Sequence, residues 1–477
     1  MDFIPLEAKH QQLLSAEQAW HYGIIPKAST NDHLEFFIDE KQSVESTREE
    51  LELLFGKCIV LIPFSSLLIN TSLGKYYRRT NSEHRLPRTV KNENNNDDFL
   101  SKLISEAKLI GSSDIHIESY ENRSRIRMRI DGKMIERYEI EKTEYPALIN
   151  KIKIRANLDI AEKRLPQDGR ILFNEDEMKF DIRVSVIPTL YGEKIVLRIL
   201  NKDSSSIEIE ELGFSDRQKQ DYLEAVRKTS GIILISGPTG SGKTTTLYAT
   251  LRILNKEESN IITIEDPIEY TLTGINQVQL KEAIGLTFAT ALRTFLRQDP
   301  DIIMLGEIRD GETAQMAIRA ALTGHLVLST IHTNSAWGTI SRLLDMGIPP
   351  FLVAGTLNLS VSQRLVRVLC PYCKKAIPFN PSLLPTAFNN ESVPELISVP
   401  VGCSYCFYTG YKGRRAVFEV IPIEREVAIK IKEGDLNVQP LLAESGIQKM
   451  ADTAFDLFKQ GLTTMDEIYP ILLNDEF

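Results

Sequence analysis

Short apolar runs, each followed by polar residues, recur through the second half of the chain. They read GIILIS before a glycine-rich loop, IITIEDPIE at 261–269, IIMLGEIRD at 302–310 and LVLSTIHTN at 326–334. Continuous apolar runs of this length are typical of strands buried on both faces of a parallel sheet. The pattern therefore predicts an α/β domain over 201–368, with its ligand site at the carboxyl ends of the strands.

The first 200 residues follow a different pattern. STREELELLFG is helix-like and IVLIP is a short strand, so we interpret residues 1–78 as a small docking domain. Residues 79–98 are polar and rich in asparagine, which predicts a flexible linker. After the linker a helical pattern stops at Gly111 and alternating strands follow, which predicts an α+β domain over 99–200.

Four of the five cysteines form two pairs, CPYC and CSYC, in a predicted module over 369–412. Each C-x-x-C turn points two sulfur atoms at one ion, so the pairs fit a tetrahedral zinc site. The gap over 374–402 exceeds the usual spacing of about 15–20 residues, and reduced packing cysteines or a redox pair stay open as alternatives. The fifth, Cys58, is interpreted as a buried small hydrophobe. The predicted zinc ligands are Cys370, Cys373, Cys403 and Cys406.

Composition limits the class of protein. A chain of 477 residues is long enough for about three domains. No apolar run approaches the roughly 20 residues of a membrane helix and the first residues lack a signal-peptide pattern, so we expect a cytoplasmic protein with only peripheral membrane contact. The net charge of -9 argues against a nucleic-acid coat and favours protein partners.

The glycine-rich loop GPTGSGKT matches G-x-x-x-x-G-K-[ST] between a strand and a helix. In such a loop, backbone N–H groups and the helix amino end face phosphate oxygens, Lys243 reaches the β- and γ-phosphates, and Thr244 ligates magnesium. The sequence therefore predicts a site for ATP and magnesium. The other predicted members are Gly237, Pro238, Thr239, Gly240, Ser241, Gly242 and Thr245.

Three polar side chains end the other strands of the predicted sheet. Glu265, Glu307 and His332 each follow an apolar run, so they should meet at the same edge as the loop, with His332 sensing the γ-phosphate. A simple strand terminator is the alternative for each glutamate. His325 lies an odd number of residues before His332, so the two should point to opposite faces at opposite ends of one strand. A site role and a structural role for His325 are equally open.

Together, these motifs resemble those of the type II secretion and type IV pilus assembly ATPases. The residues that carry the resemblance are GPTGSGKTTT, TIEDPIEY, LRQDPDIIMLGEIRD, TGHLVLSTIHTN, the cysteine pairs and GYKGRRAVFEV. The match covers 100–425 and points to the secretion protein E and pilus-extension branch, since retraction ATPases generally lack the cysteine pairs. It implies a RecA-like P-loop motor domain after an α+β domain and a small amino-terminal domain, with a zinc-binding insertion and a helical carboxyl terminus over 413–477.

By this resemblance, TIEDPIEY is the family's aspartate box and IIMLGEIRD is an atypical Walker B motif. Glu265 would orient or deprotonate the attacking water and Glu307 would hold magnesium, but the residues alone leave open which glutamate is the base. Asp266 and Glu269 would support them. Ser335 stands where the family usually has Asp.

Four arginines are candidates for further phosphate contacts. The resemblance implies that Arg170 and Arg183 reach the nucleotide when the α+β domain closes over the motor domain. Arg293 and Arg297 share one helix face, from which they could project across a subunit boundary. A solvated basic face or ordinary ion pairs are the alternative.

The resemblance also implies a hexameric ring at the inner-membrane face. Its partners would be further copies of the chain, an integral platform protein and a cytoplasmic-facing secretion or pilus component, with no nucleic acid. Two other function classes stay open. A nucleic-acid translocase is disfavoured by the acidic composition, and a scaffold that binds ATP without hydrolysis is disfavoured by intact Lys243, Glu265 and Glu307.

Overall fold

The computed structural model divides the chain into two compact units, residues 1–89 and 90–477, and each is described by itself. Most of the predicted linker lies outside the described residues. The structure describes residues 4, 6, 10, 13–14, 16–29, 33–40, 42–55, 57–66, 68–69, 72–73, 96–175, 178–200, 207–380, 384–385, 388, 393–435 and 438–473.

The first unit contains a three-stranded sheet in the order β1, β2, β3, in which β1 and β2 are antiparallel and β2 and β3 are parallel. Every second residue of β2 is buried, because successive side chains of a strand point to opposite faces. The strands are β1 (Ile24–Ser29), β2 (His33–Asp39) and β3 (Cys58–Phe64), and the helices are α1 (Ala16–Tyr22) and α2 (Val44–Phe55).

The interpretation of Cys58 as a buried residue was wrong. Its side chain is exposed at the start of β3, whereas the next residue, Ile59, is 2% exposed. The apolar run GKCIVLI does not distinguish the two faces of a strand, and Cys58 lies on the face that is turned away from the core.

The second unit begins with the predicted α+β domain. Its six strands form an antiparallel sheet in the order β6-β5-β4-β9-β8-β7. The predicted helix stop at Gly111 is confirmed, because this residue has a φ of 74° between α3 and β4. Residues 96–98, which were assigned to the linker, form the first turn of α3. The elements are α3 (Asn96–Leu109), β4 (Ser112–Ser119), β5 (Ser124–Ile130), β6 (Lys133–Ile140), α4 (Tyr145–Arg155), β7 (Gln167–Glu175), β8 (Met178–Thr189) and β9 (Gly192–Leu200).

A seven-stranded sheet follows, in the order β12-β11-β13-β14-β10-β15-β18, and all neighbours are parallel except β15 and β18. The four predicted apolar runs form its central strands. Ile232 and Leu234 of β10 face one hydrophobic cluster and Ile233 and Ile235 face the other, so the sheet is covered on both sides. The strands are β10 (Gly231–Ser236), β11 (Ile261–Glu265), β12 (Asn276–Gln279), β13 (Ile302–Leu305), β14 (Leu326–Ile331), β15 (Leu357–Leu369) and β18 (Tyr411–Pro422).

Helices pack on both faces of this sheet, as expected for a parallel α/β domain. On one face lie α5 and α6, and on the other lie α7 to α12. They are α5 (Asp216–Val226), α6 (Lys243–Leu254), α7 (Phe288–Phe295), α8 (Gly311–Leu322), α9 (Ala336–Asp345), α10 (Pro350–Thr356), α11 (Arg425–Glu433) and α12 (Gln439–Glu444).

The cysteine module is an insertion between β15 and β18. It contains a small antiparallel sheet of β16 (Lys375–Pro378) and β17 (Leu396–Val399), which occupies the long gap between the cysteine pairs. The helices of the predicted carboxyl-terminal region begin only after β18, and the last two are α13 (Met450–Lys459) and α14 (Met465–Leu473). Among the helices that the structure describes, none is long and apolar enough to cross a membrane.

Candidate functional site

The P-loop joins β10 to α6 at the carboxyl edge of the seven-stranded sheet. Its backbone has three glycines with a positive φ, and two of them also lie against β15. Gly237 has a φ of 145°, and a Cβ there would lie 2.4 Å from the carbonyl oxygen of Gln363. Gly242 has a φ of 89°, and a Cβ there would lie 2.9 Å from Nε2 of Gln363. The loop can therefore approach β15 closely only because these positions carry no side chain.

Lys243 opens helix α6 and points back over the loop. Its Nζ donates to the carbonyl oxygens of Gly237 at 2.7 Å and Pro238 at 3.1 Å. Burial lowers the pKa of Lys243, the negative charge of Glu307 raises it, and the positive charge of Arg364 lowers it further. The ammonium group is thus held at the loop in a place where added negative charge would be favourable.

The loop has features that fit a bound phosphate group. The hydroxyl oxygen of Ser241 is buried and has no hydrogen-bond partner among the described residues. Thr244, the predicted magnesium ligand, is exposed at the first turn of α6. A phosphate group would supply the acceptor that the Ser241 hydroxyl lacks, and exposed backbone at a helix amino end favours an anion.

Glu307 lies two residues beyond the end of β13. One carboxylate oxygen accepts from His332 Nε2 at 3.1 Å and the other accepts from Arg309 Nε at 2.7 Å. Arg309 also donates to Asp266 at 3.2 Å, and its hydrogen bond to Glu307 raises its pKa. The structure therefore brings together the ends of β11, β13 and β14 beside Lys243, as predicted.

Glu265 lies deeper than Glu307. It is the last residue of β11, is 3% exposed, and its carboxylate accepts from Thr263 Oγ1 at 2.7 Å and Gln277 Nε2 at 3.0 Å. The hydroxyl of Tyr248, on the P-loop helix, donates to the other carboxylate oxygen. Burial, together with this carboxylate, raises the pKa of Tyr248. The sequence did not indicate these three donors.

Arg170 and Arg183 lie opposite each other in the ladder between β7 and β8. Arg170 is exposed and forms a two-pronged ion pair with Asp181, with nitrogen to oxygen distances of 2.9 and 2.6 Å. Arg183 reaches the motor domain, where its Nη2 donates to the carbonyl oxygen of Ile268 at 3.1 Å. Only Arg183 therefore contacts the segment that carries the aspartate box.

Arg293 and Arg297 are exposed, but the prediction that they share one helix face was wrong. Only Arg293 lies in α7, because the helix ends at Phe295 and Arg297 lies in the turn that follows. Arg293 forms an ion pair with Glu312, and Arg297 donates to the carbonyl oxygen of Arg293 at 2.9 Å. Glu269 is also exposed, at the end of the aspartate box.

His325 lies just before β14, at the edge of the sheet opposite the P-loop. Its Nδ1 lies 2.8 Å from the carbonyl oxygen of Ala320 and 3.1 Å from the hydroxyl of Thr323, at the end of α8. These bonds are typical of a structural histidine. The six residues of β14 separate His325 from His332, which places the two histidines at opposite ends of the strand.

Ser335, at the position where the family usually has Asp, forms a side-chain hydrogen bond of its own. It is the N-cap of α9, and its hydroxyl oxygen accepts from the backbone N–H of Gly338 at 3.0 Å. Ser and Asp are both favoured N-caps because each offers a side-chain acceptor to the first turn of a helix.

The four cysteines of the two pairs form one cluster, in which all sulfur atoms lie within 4.8 Å of one another. Three sulfur separations are 3.8, 3.8 and 3.7 Å. A tetrahedral site with zinc–sulfur bonds of about 2.3 Å has edges of about 3.8 Å, whereas a disulfide requires about 2.05 Å. Backbone N–H groups of Gly402 and Gly410 donate to the sulfur atoms, as suits thiolates. The cluster fits a metal ion better than a redox pair.

Comparisons with known proteins agree with this geometry. The family described as "Type II/IV secretion system protein" matches residues 90–470. Type II secretion system protein E of Pectobacterium carotovorum subsp. carotovorum is 46% identical over 372 residues, which cover 78% of this chain and 74% of that protein. The type IV pilus assembly ATPase PilB of Myxococcus xanthus (strain DK1622) is 42% identical over 467 residues, which cover 90% of this chain and 81% of that protein.

Two solved structures resemble the fold. The Legionella pneumophila ATPase DotB has a TM-score of 0.62 at 24% identity, covering 81% of this chain and 99% of its own. The pilus retraction motor PilT with bound ADP has a TM-score of 0.53 at 28% identity, covering 79% of this chain and 97% of its own. The P-loop architecture and these matches show that the chain belongs to the type II/IV secretion system protein family and is one of its RecA-like ATPases.

Proposed function

We propose that the chain hydrolyses ATP at the P-loop and that hydrolysis drives assembly of a pilus or pseudopilus, in type II secretion or type IV pilus biogenesis. The position of Glu307 supports this best, because His332 and Arg309 hold its carboxylate close enough to Lys243 for its negative charge to oppose the lowering of the pKa of Lys243 by burial. In-line attack by water requires a carboxylate near the nucleophile and cations around the γ-phosphate.

In this proposal the two glutamates have different roles. Glu307 is accessible, with 18% of its side chain exposed, so it can meet the attacking water or, with Thr244, a magnesium ion. Magnesium would neutralise the charge of the phosphates when bound. Glu265 is buried and accepts three hydrogen bonds, so we assign it to holding the P-loop helix through Tyr248. Asp266 supports Glu307 through Arg309.

Coupling of hydrolysis to motion would begin at the contact between Arg183 and Ile268, which joins the α+β domain to the aspartate box. A ligand shifts a conformational equilibrium only through contacts that differ between the states, and a phosphate-reaching arginine is such a contact. Arg170 would exchange Asp181 for phosphate in the closed state. The exposed pair Arg293 and Arg297 would face the nucleotide of a neighbouring copy in a hexameric ring.

The partners in this proposal are an integral inner-membrane platform protein and a further secretion or pilus component. The relatives include proteins named for type II secretion and for type IV pilus assembly at similar identity, so the proposal covers both systems. A nucleic-acid translocase is the second candidate, and the net charge of -9 disfavours it.

An ATPase assay of the full chain distinguishes these functions. We expect turnover that rises when the cytoplasmic domain of the platform protein is added and does not respond to double- or single-stranded DNA. Stimulation by DNA would instead support the translocase, and the absence of turnover under every condition would support a scaffold that binds ATP without hydrolysis.

We further propose that the cysteine cluster holds a structural zinc ion. Cys370 and Cys406 are buried and Cys373 and Cys403 are partly buried, so all four positions of a tetrahedron are filled by protein and no side is left open for a substrate. Zinc would stabilise the fold of the inserted cysteine module between β15 and β18.

Metal analysis should find about one zinc ion per chain. A Cys370→Ser variant should lose the ion and lower the melting temperature on the order of 5–10 °C, because metal binding contributes directly to folding free energy. Its affinity for ADP should be unchanged. Cys58→Ser, at the exposed cysteine, is the matched control and should alter neither zinc content nor stability. Zinc-free wild-type protein with full stability would contradict the proposal.

A further inference from the structure

Arg364, on β15, is a cation at the P-loop that the motifs do not indicate. A Cβ at Gly237 would lie 3.2 Å from its Nη1, so the guanidinium group lies against the first glycine of the loop. It is also close enough to Lys243 for its charge to lower the lysine's pKa. Two positive groups therefore lie together at one loop, although their mutual repulsion is unfavourable.

The hydrogen bonds of Arg364 leave part of its guanidinium group available. Nη1 donates to the carbonyl oxygen of Gln363 at 3.1 Å, and Nη2 donates to that of Asn334 at 2.9 Å. A guanidinium group has five N–H donors, and these bonds use only some of them. Within the described part of the chain its bonds go to Gln363 and Asn334, and none goes to a carboxylate; Glu419 attracts it only at longer range.

The partial burial of Arg364 indicates that its positive charge needs a negatively charged partner. Arg364 is half-buried, and loss of hydration lowers its pKa more than Glu419 raises it. A desolvated cation is normally paired with an anion, because an unpaired one is costly. Among the described residues, the negative charge of Glu419 offsets only part of this cost, so an additional anion beside Arg364 would be favourable.

We propose that Arg364 binds a phosphate group of the nucleotide in cis, as a second cation beside Lys243. This inference rests on the proposed use of the P-loop for ATP and adds a phosphate-binding residue to it. Because Nη2 is bonded to Asn334, two residues after His332, the same guanidinium group connects the P-loop to the segment that contacts Glu307. Its planar fork suits phosphate oxygens.

Titration of the full chain with a fluorescent ADP derivative tests the role of Arg364. Arg364→Met should weaken binding by about tenfold or more, the effect of losing one hydrogen bond to a charged group. Arg364→Lys should recover part of the affinity, since it restores the charge. The affinity of Arg364→Met should also depend less on salt than that of wild type, because a screened ion pair has been removed.

Arg367→Met is the matched control on the same strand. Arg367 forms an ion pair with Glu467 at 2.8 Å and lies over the ring of Tyr411, so its loss should lower the melting temperature and leave ADP affinity unchanged. If Arg364→Met binds ADP as wild type does while Lys243→Ala does not, the role of Arg364 is refuted and the P-loop assignment stands. The role of Arg364 would also be refuted if Arg364→Met lost affinity, Arg364→Lys did not recover it, and the salt dependence stayed that of wild type. Such a loss would be a purely structural effect.

Discussion

A Glu307→Gln variant should bind ATP nearly as well as wild type and hydrolyse it about 10²- to 10⁴-fold more slowly, the range that a positioned general base or acid contributes. The substitution keeps the size of the side chain and an oxygen that His332 or Arg309 can contact. It removes the negative charge that the attacking water or the metal requires. Single-turnover hydrolysis, measured beside nucleotide affinity, separates the chemical step from binding.

Glu257→Gln is the control for Glu307→Gln, because Glu257 is exposed in the segment after α6. It should turn over ATP at the wild-type rate. Wild-type turnover in Glu307→Gln itself would show that this carboxylate does not take part in hydrolysis. Glu265→Gln should differ from both. It alters the hydrogen bond from Tyr248, so we expect it to disturb the P-loop helix and to weaken nucleotide binding as well as turnover.

The central strands could be predicted from the sequence because both faces of a parallel sheet are buried. In such strands the side chains on both faces are covered, and the runs at 231–236, 261–265, 302–305 and 326–331 are mostly apolar and buried throughout. Their polar ends then identify the ligand edge. The same reasoning failed at Cys58, because β3 has one exposed face and a run of apolar letters does not show which residues lie on it.

The different depths of the two glutamates could not be predicted from the strand pattern. Glu265 is still within the ladder, where it pairs with Gln279, whereas Gly306 carries the chain past the end of β13 before Glu307. That single residue separates a buried carboxylate from an accessible one. Two of the three donors to Glu265, Gln277 and Tyr248, come from β12 and α6, and such contacts depend on packing rather than on local sequence.

The role of Arg364 could not be predicted from the sequence for a related reason. It lies on a strand that follows the last recognisable nucleotide motif, and nothing in its neighbourhood in the sequence marks it as a phosphate ligand. Its position next to Gly237 follows from the pairing of β10 with β15, which is a long-range feature of the sheet. The cysteine pairs are the opposite case, since the C-x-x-C spacing is a local constraint and the cluster was predicted with all four members.

Replacement of Lys243 by Ala should weaken the affinity for ATP and ADP by about 100-fold or more, because it removes a charge-assisted bond to the phosphates. Lys243 also donates to Gly237 and Pro238 within the loop, so the melting temperature of the nucleotide-free variant must be measured to separate a disordered loop from a lost phosphate contact. Lys256→Ala, at an exposed position after α6, should bind nucleotide as wild type does. Undiminished affinity in a folded Lys243→Ala protein would refute the P-loop assignment itself, and with it the roles of Glu307 and Arg364, since both are defined by a phosphate chain that lies against this lysine.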